Sequence, residues 1–249
     1  MKILPARTAP PNEAIDPRRH SPPAHFESYR SCLRWEFGFM CAFCLLHESD
    51  LFEGGAPGTG LMTIEHFVRQ EGEGSARANE YANCFYACRF CNGARGSRYE
   101  VAEERGGRRL LNPCSNAWAE HFELVGTDRL RPRRGDADAR YTYRAYDLDG
   151  PRKRMSRGRR RHSIERARAI LESYATRQAF YTRVYENPRT AQDRTEALGE
   201  MAFLDAQRSD AMETLRRYRA LPAPEACRCP VHARSLPRFI DVQCFEAEI

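Results

Sequence analysis

Lysine is nearly absent from this chain: Lys2 and Lys153 are the only two, and 38 arginines carry the remaining positive side-chain charge. GC-rich coding is a sufficient source of that bias. Either way, any phosphate contact would be made by planar, bidentate guanidinium groups. The glycine-rich residues 54–60 are not followed by a lysine and a Ser or Thr, which excludes a phosphate loop. A leading apolar run is also missing. Residues 1–23 are rich in Pro and Arg, which speaks against a signal peptide, and no stretch approaches the roughly 20 apolar residues of a membrane span. The expectation is a cytoplasmic protein without membrane contact. In a reducing compartment, ten cysteines point to metal ligands before disulfides. The formal charge of +6 and a pI near 8.8 lean mildly toward polyanionic partners.

What is present centres on residues 41–95. Cys41-Ala-Phe-Cys44 and Cys88-Arg-Phe-Cys91 are two Cys-x-x-Cys knuckles, the ligand spacing of a tetrahedral structural zinc. They bracket Glu65-His66, with Asn83 and Asn92 on either side of the second knuckle's approach. Hydrolysis of a phosphodiester needs a base, a divalent ion and positioning. His66 suits the base, because an imidazole near a pKa of about 6.5 is largely neutral at working pH. Glu65 and Asn92 are hard oxygen ligands for Mg²⁺ or Mn²⁺. Asn83 can hold the imidazole tautomer, and Arg95, one turn after Asn92, can reach a phosphate oxygen.

The remaining chain is organised around that centre. Residues 1–25 read as a flexible arm. In residues 26–40, Tyr29, Leu33 and Phe37 recur at four-residue spacing, predicting a helix that ends at Gly38. A strand is expected over 61–68, and a helix from Cys88 that runs until Gly106-Gly107. Cys32 and Cys84 read as packed thiols. Residues 108–161 form a basic extension with strand-like pieces at 122–125 and at 140–146, where Tyr141, Tyr143 and Ala145 would share a face. Seven basic residues crowd positions 152–161, a solvated run or a contact to a nucleic-acid backbone. Residues 162–222 predict a helical hairpin: Ser163 caps one helix lined by Ala167, Leu171, Tyr174, Tyr181 and Tyr185. Thr190 caps the other, lined by Leu198, Met201, Leu204, Met212, Leu215 and Tyr218. The tail, residues 223–249, carries Cys227, Cys229, His232 and Cys244, a candidate second metal set whose spacing matches no strong zinc pattern.

Cys41, Cys44, Glu65, His66, Asn83, Cys88, Cys91, Asn92 and Arg95 together resemble the HNH endonuclease family, in the subgroup with a four-cysteine zinc. The resemblance is specific over about residues 30–98 and continues more weakly through residues 110–114, His121 and Phe122, as in standalone bacterial members. Glu65 stands where Asp is commoner, Arg69 where proline is usual, and Arg95 where lysine is usual. The resemblance implies an α+β fold: a zinc-stapled ββα-metal finger over residues 26–107, followed here by a small β extension and the C-terminal hairpin. It also implies one catalytic divalent ion, a His base, DNA cleavage leaving a 5′-phosphate, and a setting such as restriction or phage defence, in some members beside a partner ATPase. RNA stays within reach of the same backbone chemistry. Two other readings compete with it. One is a non-catalytic zinc module that binds nucleic acid or a protein; the other is a thiol redox protein with one labile knuckle.

Overall fold

In a computed structural model of the chain, residues 26–53, 56–57, 59–69, 76–97, 99–102, 106–116, 118–126 and 128–218 are described. The arm of residues 1–25 and the tail with Cys227, Cys229, His232 and Cys244 lie outside them. The architecture is mixed α and β, with three small antiparallel sheets. Residues up to Gly158 belong to one compact unit and Arg159–Leu221 form a second.

The first unit begins with a 3₁₀ turn, Phe26–Tyr29, and helix α1, Arg30–Glu36. Its spacing puts Tyr29, Leu33 and Phe37 into the core along with Cys32. Gly38 and Phe39 follow with φ of 53° and 63°, the left-handed backbone that ends the helix. The chain then forms the first knuckle and a minimal hairpin of β1, Phe52–Glu53, and β2, Ala56–Pro57. Strand β3, Met62–His66, pairs antiparallel with β4, Cys84–Cys88, in the register Met62↔Cys88 to His66↔Cys84. Helix α2, Arg89–Arg95, follows β4 directly. The expected strand, loop, strand, helix order is therefore present. Every residue of β4 is buried, in a core that includes Phe37, Phe43 and Phe85.

Two elements differ from the sequence reading here. Helix α2 stops at Arg95 rather than near Gly106, because Gly96 takes φ 45° as it leaves the helix. Residues 140–146 are helical, not extended. After a four-residue helix α3, Trp118–His121, strand β5, Phe122–Val125, pairs with β6, Arg129–Pro132, and helix α4 then spans Ala137–Ala145. The Asp136 side chain accepts from the Ala139 amide at 2.7 Å, a cap that starts α4 upstream of the alternating tyrosines. Over so short a span a period of two and a period of 3.6 overlap. Ala139, Tyr141, Thr142 and Ala145 are the residues buried.

Helix α5 spans Pro151–Glu186, beginning twelve residues before the cap expected at Ser163. Pro151 occupies the first helical position, where its missing N–H costs nothing. The basic run therefore sits inside a helix and is solvated only in part: Arg152 and Arg159 are exposed, whereas Lys153, Arg157 and Arg160 are buried. Arg157 donates to the Asp128 and Leu148 carbonyls at 2.9 and 3.0 Å and to Asp149 Oδ1 at 2.8 Å. Lys153 and Arg157 hold the preceding turn together.

In the second unit α5 continues and α6, Ala191–Tyr218, follows. Thr190 Oγ1 accepts from the Asp193 amide at 3.0 Å, and Asp193 Oδ2 accepts from the Thr190 amide at 2.9 Å, a reciprocal cap. The seam keeps Leu204 and Leu215 of the expected face and adds Ala197 and Ala211, whereas the expected Leu198 and Met212 are 55% and 40% exposed. Small alanines at the contact bring helices close, so the adjoining large side chains are rotated out. Among the described residues, no helix is long and apolar enough to cross a membrane.

Candidate metal centre and the adjoining acid–histidine site

The first knuckle is a tight loop whose backbone is satisfied from both sides. The Cys41 amide donates to the Leu46 carbonyl at 2.8 Å, Leu45 to Cys41 at 3.0 Å, and Ala42 to Tyr86 of β4 at 2.8 Å. Cys88 ends β4 as the N-cap of α2, and Cys91 lies in the first turn of that helix. This places all four sulfurs within 4.8 Å of one another, with Cys44 Sγ 3.7 Å from Cys88 Sγ. A disulfide would bring two sulfurs to about 2.05 Å. Tetrahedral zinc with bonds of about 2.3 Å instead holds them about 3.8 Å apart. All four residues are at most 1% exposed. The cluster can hold a metal ion such as zinc. Burial pushes the Cys41 thiol up, but hydrogen bonds from Cys44, Cys88 and Cys91 outweigh it and Cys41 is lowered; Cys88 is raised first by its hydrogen bonds with Cys41 and Cys44, and Cys91 first by burial.

Glu65 and His66 are the last two residues of β3, so their side chains leave the strand on opposite sides. On one side lies α2. Arg95 Nη1 donates to Glu65 Oε1 at 2.6 Å, and Asn92 Nδ2 donates to Thr63 Oγ1 and the Ile64 carbonyl at 3.1 and 3.4 Å. Glu65, Asn92 and Arg95 are thus brought together, with Glu65 Oε2 and Asn92 Oδ1 the remaining hard oxygens. Burial raises the pKa of Glu65 above the ordinary carboxylate value, against the pull of Arg95 and Arg69.

The expected phosphate contact at Arg95 is corrected by its burial, since that residue is only 1% exposed. Its guanidinium also donates to the His66 carbonyl at 2.9 Å, Phe67 at 2.6 Å and Tyr99 at 3.3 Å, and lies 3.3 Å from the Tyr146 hydroxyl. All three nitrogens of the rigid fork donate within the protein, binding the end of β3 to α2 and the chain that follows it. Arg69 does similar work from the loop, donating to the Gly96 and Ser97 carbonyls at 2.6 Å and to Glu100 Oε1 at 2.6 Å. A cation there suits the carbonyl end of a helix.

On the other side of β3 the His66 ring meets the Phe26 ring edge-on at 4.6 Å, and its Nε2 lies 3.0 Å from the Ala78 carbonyl. A carbonyl only accepts, so Nε2 carries the proton and Nδ1 carries the lone pair of the neutral ring. Burial lowers the His66 pKa below the ordinary imidazole value, although the Ala78 carbonyl pulls the other way.

The expected partner for this ring was Asn83, and that is corrected too. Asn83 Oδ1 accepts from the Val68 amide at 2.6 Å, and its Nδ2 donates to the Val68 and Arg77 carbonyls at 2.7 and 3.1 Å. One amide thus closes the mouth of the loop between β3 and β4. Sequence reasoning missed the Ala78 carbonyl, which has no side-chain signature. It also missed Tyr146, whose ring stacks on Phe43 at 3.9 Å. No protein-family model matches this chain, and no curated protein or solved structure matches it either.

Proposed function

We propose that this chain is a metal-dependent endonuclease that hydrolyses phosphodiester bonds of DNA, with His66 as the general base. The observation that carries the reading is the imidazole held through Nε2 by the Ala78 carbonyl, next in sequence to a carboxylate on a scaffold bracketed by four converging cysteines. Glu65 and His66 close the same end of β3, and a phosphate lying across that end would meet both groups. Nδ1 of His66 takes the proton of the attacking water. Glu65 and Asn92 would hold a Mg²⁺ or Mn²⁺ ion, which supplies charge neutralisation at the phosphate and leaving oxygen. Arg95 fixes the Glu65 carboxylate through one oxygen and leaves the other for that ion. The four cysteines would hold a structural zinc.

The polyanion side of the reading rests on exposed arginines. Residues 129–144 contain six arginines against two aspartates, and both aspartates are engaged: Asp136 by His121 at 2.7 Å and Asp138 by the Arg109 amide at 2.7 Å. On β6, Arg129 and Arg131 flank the buried Leu130 and are exposed; on α4, Arg140 and Arg144 are exposed one turn apart. Such a surface suits a phosphate backbone. With divalent ions chelated, Arg140→Glu/Arg144→Glu is expected to weaken DNA binding and to flatten the salt dependence of log K by about 2, as for two lost contacts. Fluorescence anisotropy across salt concentrations measures this. An unchanged slope would place the DNA elsewhere.

Plasmid nicking in Mg²⁺ or Mn²⁺ tests the chemistry. His66→Ala is expected to remove cleavage, by a factor of about 10² to 10⁴ as for loss of a general base, while the melting curve stays near parental. The parental rate should hold as pH falls from neutral to below about 6.5, because the depressed His66 stays unprotonated past the ordinary imidazole range. An Ala variant cutting at the parental rate would sink the assignment of His66 as the base, whereas a parent that does not cut would return the chain to the non-catalytic zinc module.

A further inference from the structure

Lys153 stands in the first turn of α5 and is only 1% exposed. Its Nζ donates to the carbonyls of Tyr146 and Asp147 at 2.6 and 2.7 Å. Carbonyl dipoles alone do not offset the burial of an ammonium, which also needs an opposite charge nearby. Asp147 Oδ2 is 3.8 Å away, but that side chain is 64% exposed, so solvent screens it. The turn that Lys153 grips packs instead against the first knuckle. The Tyr146 ring stacks on Phe43, inside the first knuckle, and its hydroxyl lies 3.3 Å from Arg95, one helical turn beyond Cys91. Burial draws the Lys153 pKa down, yet Cys91, Cys44 and Cys88 draw it up, and it ends above the ordinary lysine value.

We propose that Lys153 is the charge-balancing residue of the metal centre. Four thiolates around a divalent zinc carry a net charge of about −2, and the buried ammonium offsets part of it, setting how tightly the ion is held. This rests on the four cysteines binding zinc. It also gives a reason for one of only two lysines in an arginine-rich chain. An ammonium is a compact point charge that fits between two carbonyls, whereas a guanidinium is a broad fork.

Zinc content and zinc affinity of the purified full chain, by chelator competition, are measured first on the parent. Lys153→Gln then removes the charge and keeps a donor for the carbonyls. Arg157→Gln removes a cation from the same turn, which Arg157 grips through Leu148 and Asp149. Lys153→Gln is expected to weaken zinc binding about 10- to 100-fold, the range for groups that support metal ligands. In the cobalt-substituted protein its sulfur-to-metal charge-transfer band should move to lower energy, because the thiolates have lost a neighbouring positive charge. Arg157→Gln is expected to leave affinity and band position parental. The proposal is overturned if Lys153→Gln binds zinc as the parent does, or if Arg157→Gln weakens it equally. A Lys153→Gln chain that excess zinc does not refold also overturns it, since the residue would then serve the turn alone. A parent that takes up neither zinc nor cobalt overturns the metal centre itself, and this proposal with it.

Discussion

Cys88→Ser is expected to unfold much of the first unit at temperatures where the parent is intact, with zinc lost in parallel. Cys88 ends the central buried strand, holds the N-cap position of α2 and places its sulfur 3.7 Å from Cys44, so one residue joins three parts of the fold. Structural zinc sites contribute apparent free energies of about 10–16 kcal/mol in small peptides, as much as the roughly 5–15 kcal/mol net stability of a whole domain. Loss of one ligand in four need not forfeit all of that. Losing only 5 kcal/mol would still lower the melting temperature by roughly 10–20 °C for a unit of this size. Metal analysis and a calorimetric scan of parent and variant measure both quantities. A variant that loses its zinc but melts within about 2 °C of the parent would show that the aromatic core around Phe37, Phe43 and Phe85 holds without the metal.

Arg95→Ala is expected to cost about 3–5 kcal/mol of stability, the range for removing one partner of a buried ion pair. The loss has two parts. Glu65, 6% exposed, is left as a buried carboxylate without its counter-charge, and the carbonyls of His66, Phe67 and Tyr99 lose a donor. Adding Glu65→Gln should restore part of the loss, because the first part then disappears and the second remains. Arg95→Lys, the residue more usual at this place in the resemblance, keeps a charge for Glu65 but reaches fewer carbonyls, so it should fall between. Denaturant midpoints for the four proteins separate these contributions. A stable Arg95→Ala protein that fails only in DNA cleavage would return Arg95 to the phosphate contact its position in the sequence suggested.

The readable parts of the sequence were those where spacing alone decides geometry. A turn of two intervening residues brings the two sulfurs of each Cys-x-x-Cys pair together, and the long helices follow from apolar spacing sustained over many turns and from the Thr190 cap, though α5 starts well before Ser163. Residues 140–146 were misread because seven residues carry both periods, and the deciding Asp136 cap lies outside the alternation. The roles of Arg95, Asn83 and Lys153 depend on partners far along the chain, such as Glu65, Val68 and Tyr146. A side chain's type shows what it can donate or accept, not which distant carbonyl will face it. The run at 152–161 shows the same limit, since half-buried helix cations and a solvated charge cluster have the same composition.

Tryptophan 118 donates its indole N–H to the Phe43 carbonyl at 3.0 Å and is only 5% exposed. The protein therefore carries an intrinsic optical reporter wired to the first knuckle, because indole emission shifts to the red once water replaces such a partner. Were the cysteine cluster to hold an ion, its chelation is expected to show as that colour change in the unlabelled molecule.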